Sequence, residues 1–502
     1  MIPLFVIVVY LVILLGIGAA ANRSLSGTSN DYFLASRSIG PVLLLMSLFG
    51  TTMTAFAMVG STGEAYVQGI GVYGLMASWA AVVHPAMFAF IGVPVWHLGR
   101  KHGYVTQIQL LRDRFRSEAL GWLLFPMLVG LVIPYLLIGV QGAGVTVAAV
   151  TKGAFPTVFM DAAGAPSGLP PWLTGLVICA VVLMYVFFGG IRAAAWANGF
   201  QTAVFVAVSM LTLVVLSEAL GGPAEAIARA AEKRPELLVR GEVIGYGHFL
   251  TYGLVPFSVG MFPHLFQHWL TARSAASFKL TVVAHPLLVA AVWLPCVLIG
   301  VWAAGVIEVP PERSGAVLGM MVAKFTSPWM SGVMTAGVLA AIMSSLDSQF
   351  MCLGTMFTHD VVLRRGGEVS EERKVWLGRA FVVAIVAITY ALSLVSTKGI
   401  FQLGVWCFSG FSGLTPIIFA ALYWRRATAY GAIASVLATA TTWSAFFVTD
   451  MMRGAHDEML VGGVMPVVFI FGASASAMIG VSLFTPPPPQ EAIERFFPPQ
   501  RA

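Results

Sequence analysis

Charge is what this sequence has least of. Asp, Glu, Lys and Arg make up 10% of its 502 residues, against about 25% in an ordinary soluble domain. A soluble core of this composition is excluded. Cysteine is scarce as well. Cys179, Cys296, Cys352 and Cys407 lie far apart inside apolar runs, so they read as buried thiols rather than a disulfide framework or a metal knuckle. The opening apolar stretch, Ile2 to Ala21, lacks the basic leader of a signal peptide, and Ala19-Ala20-Ala21-Asn22 is a poor cleavage site; it reads as a first spanning helix. The net charge of +6 does not point to nucleic acid, because its placement is explained by membrane topology.

What fills the chain instead is hydrocarbon: 58% hydrophobic residues and a mean hydropathy of +0.87. Apolar runs long enough to cross about 30 Å of bilayer recur from end to end. The expected fold class is an all-α polytopic membrane protein with thirteen spans, near 2–21, 40–62, 70–98, 119–150, 172–190, 195–220, 244–270, 276–306, 328–360, 375–397, 401–424, 427–449 and 460–484. With the N-terminus outside, most Lys and Arg fall in inside connections, among them Arg100, Lys101, Arg112, Arg114, Arg116, Arg273, Lys279, Arg364, Arg425 and Arg426. That bias supports an odd count and a cytoplasmic C-terminus. The segment from Gly221 to Glu242 reads as an outside amphipathic helix carrying Glu225, Ile227, Ala228, Ala231 and Leu237. Residues 486–502 form a Pro-rich tail too short to fold alone. One transmembrane domain, 1–485, is expected, with a leading helix and no appended soluble domain.

Against this background Ala340-Ala341-Ile342-Met343-Ser344-Ser345-Leu346-Asp347-Ser348-Gln349 stands out. Hydroxyls and a carboxylate at membrane depth usually face a cavity and mark an ion or substrate path. Serine hydroxyls can also back-bond to the preceding helical turn; the cluster as a whole points to an alkali-cation site. Two spans carry helix breakers: Gly50 and Gly60 in the second, and Gly253, Pro256, Gly260 and Pro263 in the seventh. Interrupted helices at matching places in two halves point to a midplane binding site. His264 and His268 share a helical face at metal-binding spacing, but no third ligand accompanies them, which argues against a metal centre. A membrane enzyme is disfavoured on the same ground, since no nucleophile–base pair is evident.

Several segments together resemble the sodium/solute symporter family, which holds sodium-coupled proline, pantothenate, monocarboxylate and sugar carriers. They are Asp31-Tyr32-Phe33-Leu34-Ala35-Ser36-Arg37-Ser38, Gly50-Thr51-Thr52-Met53-Thr54-Ala55 on to Tyr66, Tyr185 to Gly190 with Arg192-Ala193-Ala194-Ala195-Trp196, and Gly260-Met261-Phe262-Pro263-His264. The 340–349 segment and Phe411-Ser412-Gly413, Thr415-Pro416 and Tyr423-Trp424-Arg425-Arg426 complete the set. The resemblance implies a LeuT-type core of two five-helix inverted repeats, 40–220 and 244–424, with two further helices over 427–484.

It also implies functional residues. Sodium, the coupling ion, would be held by the carbonyls of Gly50, Met53 and Ala341 and the hydroxyls of Ser344 and Ser345. Gly50 could instead serve only close helix packing. Thr51, Thr52, Thr54 and Ala57 would line the solute pocket, faced by Ser258, Phe262 and His264 and completed by Tyr135 and Gln141. Family members more often carry Gln at the position of Gly139, and Arg where His268 stands, so His268 reads as an interfacial residue. Many carry Thr-Asp where this chain has Ala197-Asn198. Asp347 is a possible second cation or proton site, or a carboxylate satisfied by Ser344 and Ser348. Glu64 is placed at the outer end of its helix, in reach of water. No organic cofactor, no other metal and no nucleic-acid partner are expected, only a small solute, sodium and lipid. The function implied is sodium-coupled import of a small polar solute through the inner membrane: a monocarboxylate, an amino acid or a pantothenate-like acid. Proton coupling through Asp347 and a transporter-like sensor are the alternatives. The short tail argues against the sensor.

Overall fold

The computed structural model describes residues 1–22, 37–160, 164–241, 243–365, 370–396, 398–454 and 458–497. The Asp31–Ser36 part of the first family segment lies outside the described residues. Helix α1 (Ile2–Asn22) leads the chain. A bent pair follows, α2 (Pro41–Thr52) and α3 (Phe56–Gln68), which meet at 58°. Next come α4 (Tyr73–His102), the short α5 (Gln107–Phe115) and α6 (Glu118–Val150). Then α7 (Pro171–Phe187) and α8 (Ala193–Ala219) run on from each other across Gly190, whose φ of 58° suits a residue without Cβ. The Gly-Gly turn is thus a kink rather than a loop. A short α9 (Pro223–Lys233) precedes the second bent pair, α10 (Tyr246–Gly260) and α11 (Pro263–Thr271), at 52°. The chain continues with α12 (Ser277–Val306), α13 (Val317–Phe325), α14 (Pro328–Val362), α15 (Glu372–Ser393) and α16 (Ile400–Tyr423). It closes with α17 (Ala429–Arg453), α18 (Pro466–Phe484) and the short α19 (Gln490–Phe496).

Among the described residues ten helices are long and apolar enough to span a bilayer, or twelve with each bent pair taken as one span. The thirteenth expected span corresponds to α7, which is apolar but short. The termini carry the expected chemistry. Ser117, Ser327 and Thr428 accept backbone N–H bonds at the starts of α6, α14 and α17, and Thr106 and Gln109 form a reciprocal capping box on α5. Enclosure sorts the spans: α14 and α16 are 83% and 89% buried over their apolar windows, whereas α1, α15, α17 and α18 are 28% buried. The polar 344–349 segment therefore sits on a central helix, where its groups need protein partners rather than lipid.

The described part of the segment expected outside, 221–241, is packed against the rest of the chain on one face. Ala226, Ala230 and Leu237 form its buried face, while Ile227 is exposed. Leu237 O accepts the Ile70 N–H at 2.8 Å, and Arg234 donates to Tyr66 O at 2.9 Å.

Candidate functional site

The first break does not fall at Gly50 or Gly60. Gly50 lies within α2 and is needed there for packing, because a Cβ would stand 2.2 Å from Thr202 Oγ1. The chain leaves helical geometry at Met53 (φ −90°, ψ 110°) and restarts after Thr54, whose hydroxyl accepts the Phe56 N–H at 2.9 Å. A helix ending at Thr52 leaves its last carbonyls without partners on their own chain. The Gly50 carbonyl is one of them, so packing glycine and free carbonyl coincide at one residue.

That carbonyl meets α14. Ser344 Oγ lies 2.8 Å from Gly50 O and 2.9 Å from Ala341 O. One hydroxyl proton cannot serve both carbonyls at once, so the three oxygens outnumber the hydrogens available to join them. A monovalent cation suits such a set, being drawn to several neutral oxygens together. Ser345, one residue on, accepts from Gln349 Nε2 at 2.7 Å. Gly50, Ala341 and Ser344 are thus brought into direct contact, with Ser345 beside them and Met53 at the break. The back-bond from Ser344 to Ala341 exists too, but it accounts for only one of its two contacts.

A second polar cluster adjoins the first. Asp347 is fully buried; its Oδ2 accepts from Tyr185 OH and its Oδ1 from Ser348 Oγ, both at 3.0 Å. With the Asn198 amide turned so that donors meet acceptors, its nitrogen lies 3.0 Å from each Asp347 oxygen and its oxygen 2.9 Å from Ser348 Oγ, whose one proton serves either Asp347 or Asn198. Thr51 Oγ1 and His268 Nε2 each stand 2.9 Å from Ser348 Oγ as well. Two expectations change here. Thr51 faces this cluster through its hydroxyl instead of a solute pocket. His268 is buried against Ser348 and is not interfacial. Ser348 is the partner expected for Asp347; Asn198 and Tyr185, which were not assigned to Asp347, complete the cluster, and the Ala197-Asn198 departure was the local sign on α8.

The expected pocket residues divide. Tyr135, Phe262 and His264 meet beside the second break, with ring centroids 5.1–5.5 Å apart. Phe408 and Phe411 from α16 close on Phe262, and Phe56 stacks on Phe401. Among the described residues both ring nitrogens of His264 lack hydrogen-bond partners although the residue is fully buried. Leaving such groups unpaired costs about 1–3 kcal/mol each, so they are poised for a ligand or water. Ala57 and Ser258 are buried on the two broken helices. Thr52 turns back on its own helix, donating to Phe49 O at 2.8 Å, and Thr54 serves as a cap.

Gln141 instead lines a vestibule of about 780 Å³ with Glu64, Lys152, Arg313, Lys398 and Gln402. It cannot swap roles with Gly139, where even a Cβ would press on Leu346 at 2.9 Å. Glu64 sits in that vestibule, accepting from Gln68. On the opposite face, Arg112, Arg116, Arg364 and Arg495 line a second cavity of about 810 Å³. Among the described residues no cluster of three metal-ligating side chains occurs.

With two bent helices, the first meeting α14 at buried oxygens, the chain has a LeuT-like fold. A solved structure of a substrate-bound, outward-open Na+-coupled sialic acid symporter shares this fold, with a TM-score of 0.77 at 16% identity over 98% of this chain and 99% of that one. Residues 32–439 match the family model described as sodium:solute symporter family, and the chain belongs to that family. It is 28% identical to the sodium/pantothenate symporter of Escherichia coli K12, over 86% of this chain and 87% of that protein. It is 24% identical to the sodium/proline symporter of Salmonella typhimurium LT2, over 95% and 91% respectively.

Proposed function

We propose that this protein is a sodium-coupled symporter importing a small organic acid, in the range of monocarboxylates, amino acids and pantothenate-like compounds, by alternating access. The observation that carries the reading is the Ser344 hydroxyl between the Gly50 and Ala341 carbonyls. Gly50, Met53, Ala341, Ser344 and Ser345 hold the sodium ion. The solute binds between the two breaks, against Phe262, His264, Tyr135, Ala57 and Ser258. Among the described residues no Lys or Arg stands there, so a carboxylate meets the His264 imidazole and the N-terminal end of α11. Sodium links the first broken helix to α14; without it the surplus carbonyls favour a rearranged break.

The chain crosses the membrane thirteen times, with α7 as the short span, the N-terminus outside and the C-terminus in the cytoplasm. The vestibule beside Glu64 then faces outward and the arginine-lined cavity faces the cytoplasm. A cysteine placed within 100–116 should be labelled only from the cytoplasm, and one within 224–240 only from outside. The reverse pattern would overturn this orientation.

Ala197-Asn198 replaces the carboxylate that a second cation would use on α8, so one sodium per solute is expected, with a Hill coefficient near one. A second reading has an observation of its own. Asp347 abuts Asn198 and supplies from α14 a charge that α8 lacks. Parallel tracer fluxes decide between them. A ratio of two that falls to one in Asp347→Asn would assign a second sodium to this cluster. A ratio of one in Asp347→Asn, with loss of a pH-dependent component, would assign a proton.

The test of the function as a whole is a thermal-shift screen of the purified protein against about fifty metabolites, with and without sodium, since a ligand of the native state raises its apparent stability. A small carboxylate that stabilises only with sodium is expected. Stabilisation by neutral sugars alone, or equally in potassium, would contradict the proposal.

A further inference from the structure

The last described helix, α19, lies on the element that seals the arginine-rich face. That element is α5. Gln107 Nε2 donates to Met261 O, in the second break, at 3.2 Å. Arg114 donates from Nε to Ala421 O at 3.0 Å and from Nη2 to Trp424 O at 2.9 Å, at the end of α16. Arg112 Nε stands 3.3 Å from Glu118, and its Nη1 3.9 Å from Asp360 near the end of α14. A bent helix and two straight ones are thus tied together through α5, and a path opening on this face has to break some of these ties.

Helix α19 adds a second layer. Arg495 Nε lies 2.7 Å from Asp113 Oδ2, and Arg116 Nη2 3.0 Å from Glu491 Oε2. Phe496 is buried and stacks on Tyr104 and His102, which precede α5. Phe497 lies under two guanidinium groups, Arg114 at 5.2 Å and Arg425 at 5.7 Å, so it bridges α5 to the turn after α16. Seven residues cannot hold a helix in water unaided; α19 is helical because it is docked. Its docking is weak by construction. The partners in both ion pairs are 21–83% exposed, each such pair contributes about 0–1 kcal/mol, and at 0.15 M salt charges are screened beyond about 8 Å. A contact of this strength can be made and lost in the working range of cytoplasmic ionic strength.

We propose that α19 is a salt-sensitive latch that holds α5 across the cytoplasmic exit and biases the carrier toward its outward-facing state. The inference rests on the orientation and alternating-access reading above. Release of the tail removes its contacts with Tyr104, Asp113, Arg114 and Arg116 together, and α5 then parts more readily from Met261 and the end of α16. High internal salt and loss of the aromatic contact act in the same direction.

The test uses the full chain in proteoliposomes, its four native cysteines replaced by alanine and Thr355→Cys introduced as reporter. Thr355 lies on α14 against α11, its hydroxyl 2.9 Å from Gln267 Nε2. Arg495→Asp should raise the rate of cytoplasmic-side modification about threefold, the size one partly exposed ion pair allows, and Phe496→Ala should raise it further. The exchanged pair Arg495→Asp with Asp113→Arg should return the rate toward that of the parent, which a simple folding defect would not do. Raising internal salt from about 50 to about 500 mM should speed labelling in the parent more than in Arg495→Asp, which keeps only the Arg116–Glu491 pair. Equal rates in the parent, Arg495→Asp and Phe496→Ala would overturn the latch, as would failure of the exchanged pair to restore the rate. Labelling of the reporter from outside alone in every variant would sink the orientation instead, so the two failures are told apart.

Discussion

Replacing Ser344 and Ser345 together by alanine is expected to raise the sodium concentration for half-maximal effect tenfold or more, on the order of 1.4 kcal/mol. Two of five expected oxygens are lost. The Ser344 side chain is also the one that bridges Gly50 and Ala341, so its removal breaks one of the polar contacts between the broken helix and α14, leaving that of Thr51 with Ser348. Sodium-dependent thermal stabilisation measures the effect without knowledge of the solute. Ser344→Ala alone should account for most of the change, because Ser345 is already engaged by Gln349. Unaltered sodium dependence in the double variant would place the ion elsewhere.

The second large effect concerns stability. Asp347→Ala removes the acceptor used by Tyr185, Ser348 and Asn198, all buried. Ser348 and Asn198 keep the Ser344 carbonyl within reach, at 3.3 and 3.1 Å, but a buried donor left unpaired costs about 1–3 kcal/mol, so a loss on the order of 2 kcal/mol is expected. Asp347→Asn, which keeps one acceptor, should lose less. Thermal inactivation of the purified variants measures both. An Asp347→Ala protein as stable as its parent would show that burying the carboxylate costs as much as its hydrogen bonds return. The residue would then be retained for ion or proton binding rather than for the fold.

Legibility in the sequence followed the range of the interactions. The second break could be read because Pro256 and Pro263 remove backbone donors and Gly260 lies between them, all within one stretch of chain. The first break was displaced by three residues. Gly50 carries the familiar signal but is held helical by its packing against Thr202, whereas Met53 and Thr54 have no breaker chemistry, and Thr54 acts only through a cap. Ser344 was legible because a hydroxyl pair followed by a carboxylate is costly in an apolar helix whatever its neighbours.

The Asp347 cluster was not legible as a unit. Its members Thr51, Tyr185, Asn198, His268 and Ser348 come from five helices, and each alone resembles an ordinary buried polar group. Gln141 was drawn toward the pocket by analogy with a glutamine two residues earlier, but Leu346 fills the space at Gly139 and Gln141 opens onto the vestibule. Docking of the tail escaped for a similar reason. The seven residues of α19 have too little apolar surface to announce a helix, and their order comes from Tyr104, Asp113 and Arg114, hundreds of positions earlier.

Equilibrium binding of radiolabelled sodium to the purified protein tests the central claim most directly. One ion per chain should bind saturably in the presence of excess potassium, and Ser344→Ala with Ser345→Ala should shift that binding to sodium concentrations about tenfold higher or more. Saturable binding that survives the double substitution unchanged, or none in the parent protein, would contradict a sodium site between Gly50 and Ser344.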